Sequence, residues 1–286
     1  MLTIANISEL RARLTAWRRQ VASIALVPTM GNLHAGHMSL IEYARANATR
    51  VVVSIFVNPM QFDRAEDLAA YPRTLEEDCR QLRALDTDLA FIPTVDALYP
   101  RGMENITRVE VPHLAYILEG ASRPGHFAGV ATIVTKLLTI VQPDMAVFGE
   151  KDYQQLLIVQ RLVADLNLPV EIVGRPTVRE PDGLAMSSRN GHLTAQERAL
   201  APGLHAALLD VGDHIRKGRR DYSWLERQAI YELQETGLRP DYVSIRRAYD
   251  LALPDAGDRD LVVLGAIWLG GTRLIDNIRL TLMDYR

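Results

Sequence analysis

Residues 23–40 read SIALVPTMGNLHAGHMSL. The apolar run SIALV passes through a Pro-Thr-Met-Gly turn into a segment with helical spacing that begins at His37. A strand apolar on both faces that feeds a helix is the unit from which helix-covered parallel sheets are built. The alternation recurs down the chain. Apolar runs of strand length lie at 23–27, 51–57, 88–92, 145–148 and 170–173, with helical spacing at 37–48, 74–85, 130–141 and 153–166. The expected fold class is α/β, a Rossmann-like doubly wound parallel sheet.

The character changes after Pro181. Two helical segments, 194–218 and 222–237, precede three strand-like runs at 241–248, 259–268 and 272–280. The last two runs are joined by a Gly270-Gly271 turn. This predicts a second, smaller α+β domain with a mostly antiparallel sheet. The boundary falls in the turn-rich Glu180-Pro181-Asp182-Gly183, giving domains at 1–181 and 182–286.

Composition narrows the function classes. Hydrophobic residues make up 48% of the 286 and charged residues 23%, an ordinary balance that supports a core without disulfides. The net charge is −3 and basic residues are scattered, which argues against nucleic acid as a partner. No apolar stretch reaches the roughly 18 residues of a membrane span, and no leader-like segment opens the chain. The single cysteine, Cys79, suits a reducing compartment, so a cytoplasmic location is expected. Cys79 lies in TLEEDCRQLRAL, an amphipathic helix pattern, where a small buried apolar role is the simpler reading.

The chemistry concentrates in a few segments. PTMGNLHAGHMSL, residues 28–40, stands at the carboxyl end of the first long strand, where open α/β sheets bind ligands. Met30-Gly31 gives a tight turn, and Gly36 allows close backbone approach at a helix start that favours phosphate. His34 and His37 are three apart and can share one side of the turn. Two imidazoles there can donate to phosphate oxygens and stabilise charge on phosphorus. Zinc is the competing reading, but it wants further ligands, and no Cys or His follows at metal spacing.

FGEKDYQQ, residues 148–155, again leads from strand to helix. Lys151 is a point charge suited to phosphate. Asp152 can accept from ribose hydroxyls or cap the helix. LAMSSRNGHLT, residues 184–194, holds Ser187, Ser188 and Arg189, two hydroxyls and a guanidinium fork able to wrap a polyphosphate. Gln61, at the end of VVVSIFVNPMQF, can bond a hydroxyl or carboxylate without adding charge, or bond local backbone. Glu76-Glu77-Asp78 is an acidic run of the kind that usually forms a solvated face.

HAGH resembles the HxGH signature of nucleotidylyltransferases and class I aminoacyl-tRNA synthetases, and the full string from Pro28 to Leu40 is similar to that of the pantothenate synthetase family. YPRT at 71–74, LEGASRPGHFAGV at 118–130, FGEKDYQQ and LAMSSRN extend the resemblance over nearly the whole chain. Within it, Arg189 stands where the related KMSKS-type loop has a lysine. The resemblance implies an ATP site at Met30, Gly31, Asn32, Leu33, His34, Ala35, Gly36, His37, Gly149, Glu150, Lys151, Asp152, Val178, Met186, Ser187, Ser188 and Arg189. His34, His37, Lys151, Ser187, Ser188 and Arg189 would be catalytic, and Gln61 and Gln155 would bind pantoate. It further implies Mg²⁺ with ATP, with Asp78 as a metal contact, a second domain that closes over the ATP site, and a homodimer.

The function these features imply is ATP-dependent condensation of pantoate with β-alanine through a pantoyl adenylate. A nucleotidylyltransferase that keeps the nucleotide in its product is the alternative within the superfamily. It is disfavoured by the two glutamines and by the lack of a basic patch for a phosphorylated acceptor. A silent nucleotide-binding sensor is a third reading, disfavoured by phosphate-directed groups in three separate segments.

Overall fold

The computed structural model describes residues 1–282; the last four residues of the expected second domain lie outside them. Contacts divide the chain into two units: Met1–Glu150 with Gln154–Pro176, and Lys151–Tyr153 with Thr177 onward.

The first unit is built on six parallel strands: β1 (Leu2–Ile4), β2 (Ile24–Thr29), β3 (Arg50–Ile55), β4 (Leu89–Phe91), β5 (Met145–Gly149) and β6 (Glu171–Arg175). Their order across the sheet is β1-β4-β3-β2-β5-β6. Alternate residues Ala25, Val27, Val51, Val53, Ala90, Met145 and Val147 pack on one face against Leu40, Ile41, Ala44 and Leu82 of the helices Ala35–Asn47 and Leu75–Ala84. The intervening Ile24, Leu26, Val52 and Ala146 are also fully buried. Burial on both faces is why these strands read as continuous apolar runs. The expected doubly wound α/β class is the class observed.

The strand order fixes where a ligand can sit. From β2 the chain moves outward through β3 and β4, then returns to place β5 on the other side of β2, with Ala25 beside Met145 and Leu26 beside Ala146. The order reverses between these two strands. Their carboxyl ends, Thr29 and Gly149, therefore open side by side at a topological switch point, the ligand crevice of open α/β sheets.

The second unit carries an antiparallel sheet of β7 (Arg239–Arg247), β8 (Asp260–Leu269) and β9 (Thr272–Thr281). The helices Gly203–Arg216 and Tyr222–Glu235 cover it, burying Leu204, Leu208, Val211, Leu225 and Leu233 against Val243, Ile245, Val263 and Ile267. The turn at Gly270-Gly271 joins β8 to β9 as expected.

Some elements depart from the sequence reading. β1 and the helix Ile7–Arg19 were not foreseen. Three residues are too few to show a period, yet Leu2 to Ile4 pair in parallel with Leu89 to Phe91 and close one edge of the sheet. The single helix expected over 194–218 is two, Ala195–Leu200 and Gly203–Arg216. Pro202 cannot donate into the first helix and instead starts the second. The helix expected over 130–141 begins earlier, at His126, behind a left-handed Gly125.

That early start brings the helix His126–Val141 onto the 3₁₀ turn Pro59–Gln61. A Cβ on Gly129 would collide with the Met60 carbonyl and stand 2.8 Å from Gln61 Cα. At Gly149 a Cβ would meet nothing within 4 Å. Gly129→Ala is therefore expected to cost about 1–3 kcal/mol in denaturant unfolding, as overpacking does, while Gly149→Ala leaves the unfolding curve in place. Equal stabilities for the two variants would contradict this packing.

Candidate active site

The turn after β2 is held by side chains on both sides of it. Thr29 Oγ1 donates to the Ser54 carbonyl at 2.7 Å and accepts from Gly31 N at 3.3 Å. Gly31 and Asn32 both take positive φ, +82° and +50°, a bend that only glycine and asparagine enter at low cost. It aims consecutive backbone N–H groups inward. Asp78, 1% exposed, meets them: Oδ2 accepts from Asn32 N at 3.0 Å and Oδ1 from Leu33 N at 2.8 Å. Thr74 Oγ1 adds a third donor to Oδ1 at 3.2 Å. Asp78 was expected as a magnesium contact. Both of its oxygens accept from the turn, which they brace. Glu77, beside it, pairs with exposed Arg80, whose hydrogen bond lowers the Glu77 carboxyl to about 2.

His34 and His37 lie at the start of the helix Ala35–Asn47. His34 is the N-cap, and its Nδ1 accepts from Gly36 N at 3.2 Å. His37 Nδ1 reaches back to accept from His34 N at 3.3 Å. The pair is thus a capping box made of imidazoles instead of a hydroxyl and a carboxylate. A backbone N–H can only donate, so each Nδ1 must be an acceptor. The neutral rings then carry their proton on Nε2. The ring centroids are 4.1 Å apart. The two rings, each with its proton on Nε2, lie together at a helix N-terminus. Leu33 turns into the core and Ala35 is exposed, so these two can offer a ligand little beyond backbone.

Gln61 is nearly buried and well surrounded. Its Oε1 accepts from Asn58 Nδ2 at 3.1 Å, which sets the amide orientation, and its Nε2 points to Met30 Sδ at 3.1 Å. Asn58 Nδ2 also donates to the Gly129 carbonyl at 3.2 Å, and its Oδ1 accepts from Tyr99 OH at 2.8 Å. Burial pushes the Tyr99 hydroxyl up to about 12, so it stays a donor. The Gln61 carbonyl accepts from His126 Nδ1 at 2.7 Å and from Arg123 Nη2 at 3.3 Å. Arg123 and His126, from the segment 118–130, thereby fix the backbone of Gln61.

The two adjacent glutamines differ sharply. Gln154 is 2% exposed; its Nε2 donates to Leu114 O and Ile117 O, and its Oε1 accepts from Glu119 N. Gln155, one position on, is partly exposed and has no such bonds among the described residues. Gln154 is structural, and Gln155 is the one whose amide is available.

In the second unit, Met186 N donates to Val178 O at 3.0 Å, and Arg179 pairs in antiparallel fashion with Ala185. This short hairpin delivers Ser187, whose Oγ accepts from Arg189 N at 3.2 Å. Lys151, Ser187 and Arg189 line one cavity, together with Asn190, Arg273 and Asp276. Ser188 is absent from that lining. Lys151 Nζ stands 3.9 Å from Asp152 Oδ2. The sequence reading missed Asp276, which is buried. Burial raises its carboxyl, but the nearby His205 imidazole and the hydrogen bonds and charge of Arg179 outweigh it and hold the group below the usual range.

Over residues 2–279 the chain matches the family model described as pantoate-beta-alanine ligase. It is 58% identical over 97% of its own length, and 97% of the relative's, to a pantothenate synthetase of Thioalkalivibrio sulfidiphilus. It resembles a solved pantothenate synthetase from Thermus thermophilus with a TM-score of 0.91 at 45% identity, covering 97% of this chain and 99% of that one. A Francisella tularensis pantoate-beta-alanine ligase, solved in complex with beta-gamma ATP and beta-alanine, matches with a TM-score of 0.82 at 36% identity over 97% of both chains. The family match over residues 2–279, with 58% identity across nearly all of both sequences, places this chain in the pantoate-beta-alanine ligase family.

Proposed function

We propose that this chain joins pantoate to β-alanine at the expense of ATP, releasing AMP and pyrophosphate, with pantoyl adenylate as the bound intermediate. The observation that carries the reading is the imidazole capping box at the switch point between β2 and β5. It supplies two neutral N–H donors at a helix N-terminus, where negative charge is favoured.

The chemistry follows from the leaving group. A carboxylate oxygen departs poorly, so the acid must be activated before an amine can displace it. The chain's one thiol, Cys79, is buried on the helix Leu75–Ala84 and is no candidate for an acyl-enzyme. In the first half-reaction a pantoate carboxylate oxygen attacks the α-phosphorus, and pyrophosphate leaves. In the second, the β-alanine amine attacks the acyl carbon and AMP leaves with the bridging oxygen. His34 and His37 stabilise charge on the phosphate as it becomes pentacoordinate. Met30 to His37, and Gly149 and Glu150, line the nucleotide in the first unit. Val178, Met186, Ser187, Ser188 and Arg189, with Lys151 and Asp152, bind it from the second, which closes over it. Gln61 and Gln155 orient pantoate as neutral donors and acceptors.

Magnesium enters on the phosphates of ATP. Asp78 accepts from the turn through both oxygens, and in this reading its role is to brace that turn. No step is routed through a protein-held ion. The reading includes a cytoplasmic homodimer. A lone buried thiol fits a reducing compartment, and none of the described helices is long and apolar enough to cross a membrane.

The two-step reading makes the first half-reaction independent of amine. Labelled pyrophosphate should enter ATP with Mg-ATP and pantoate alone, should not enter without pantoate, and should enter equally well with Cys79→Ser. Exchange that waits for β-alanine would rule out a free-standing adenylation step. His37→Ala should fold normally and lose on the order of 10²–10³ in turnover, as removal of one charge-stabilising donor does. Asp78→Asn should cost about 1–3 kcal/mol of stability, because one of the turn's donors is left unsatisfied. The Mg²⁺ concentration for half-maximal activity should stay where it is. A shift in that concentration with stability unchanged would return Asp78 to the metal.

A further inference from the structure

Lys151 lies two residues past the end of β5, in the 3₁₀ turn Glu150–Asp152, yet its contacts belong to the second unit, as do those of Asp152 and Tyr153. Three residues excised in this way need something to hold them. Two hydrogen bonds do so. Asn277 Nδ2 donates to the Lys151 carbonyl at 3.0 Å, and Tyr153 OH donates to the Ala248 carbonyl at 2.8 Å.

Asn277 is itself rigidly set. It is 6% exposed and sits in β9, paired with Leu264 of β8. Its backbone N–H donates to Oδ1 of Asp276 at 2.7 Å. Its carbonyl accepts from Arg179 Nη2 at 3.2 Å. Arg179 in turn grips Asp276 through two bonds, Nη1 to Oδ2 at 2.6 Å and Nη2 to Oδ1 at 2.9 Å, and donates to the Gly183 carbonyl at 3.0 Å. The planar fork of arginine makes this a fixed geometry. Arg179 also opens the hairpin that leads to Ser187 and Arg189. The dipeptide Asp276-Asn277 is therefore tied by one side chain to Lys151 and by the other to the segment carrying Ser187 and Arg189. All three of those side chains line the same cavity.

We infer that Asn277 is a positioning residue for Lys151. It holds the Lys151 backbone so that the ammonium group joins Arg189 and Ser187 in one cavity wall. The inference rests on the proposed role of Lys151 toward the triphosphate. A lysine side chain has four rotatable bonds and little directional preference of its own. Fixing its backbone is the means left to the protein for keeping its charge in register with a planar, pre-oriented arginine.

A double-mutant cycle on the full chain tests this, read as the KM for ATP and for pantoate in pyrophosphate exchange. Lys151→Ala should raise the KM for ATP by roughly 10–100-fold, the range for a lost hydrogen bond to a charged group. Asn277→Ala should raise it by about tenfold with the KM for pantoate unchanged. In the Lys151→Ala background, Asn277→Ala should add nothing, because the side chain it positions has gone. Asn277→Leu, close in volume and unable to donate, gives the same comparison where the alanine variant melts too low to assay. Full additivity of the two substitutions, or equal effects on both substrates, would mean that Asn277 merely supports the sheet and would overturn the inference. An unchanged KM for ATP in Lys151→Ala alone would locate the failure in the role given to Lys151, and the inference would fall with it.

Discussion

The site depends on one buried carboxylate. Asp78 lies on the helix Leu75–Ala84, far along the chain from the turn it serves, and accepts the N–H groups of Asn32 and Leu33. Without an acceptor, two donors aimed into the interior would each cost about 1–3 kcal/mol. With it, the chain can take two successive left-handed residues and still enter a helix at His34. The imidazole capping box is a consequence of that entry angle. A connecting loop is usually the mobile part of a fold; here it is fixed by a carboxylate that solvent does not reach.

The fold was largely legible in the sequence because burial on two faces leaves an unmistakable trace. Val51 to Ile55 and Met145 to Phe148 are apolar at every position except Ser54, whose carbonyl anchors Thr29. What stayed hidden was either too short or decided elsewhere. Leu2 to Ile4 become a strand because Leu89 to Phe91 offer an open edge, a fact of pairing and not of local pattern. The helix break at Pro202 was readable in principle, since a proline inside a helical pattern removes a donor.

At the site the same division holds. His34, His37 and Lys151 are marked by residue type and by their place between a strand and a helix. Asp78 resembled a solvated acidic run because its partners are 45 and 46 residues away. Asn277 carried no signal at all; its bond to Lys151 spans 126 residues. Gln154 and Gln155 were equivalent as letters. Only the direction each leaves the helix separates the one that secures Leu114 and Ile117 from the one that does not.

The thioether beside Gln61 bears on selectivity. Sulfur is a weak acceptor, so the Met30 contact keeps the amide nitrogen out of water at little energetic cost to break. A hydroxylated acid that takes over this donor would gain nearly the full value of the new bond. An analogue without the hydroxyl would leave the amide on its sulfur and not stranded, so it would forgo a gain without incurring a penalty. Sites that reject by stranding a polar group discriminate by 10⁴ or more. On the pantoate-binding role proposed for Gln61, discrimination there should be gentler than that, with the rest of the choice between acids made by shape and by other groups.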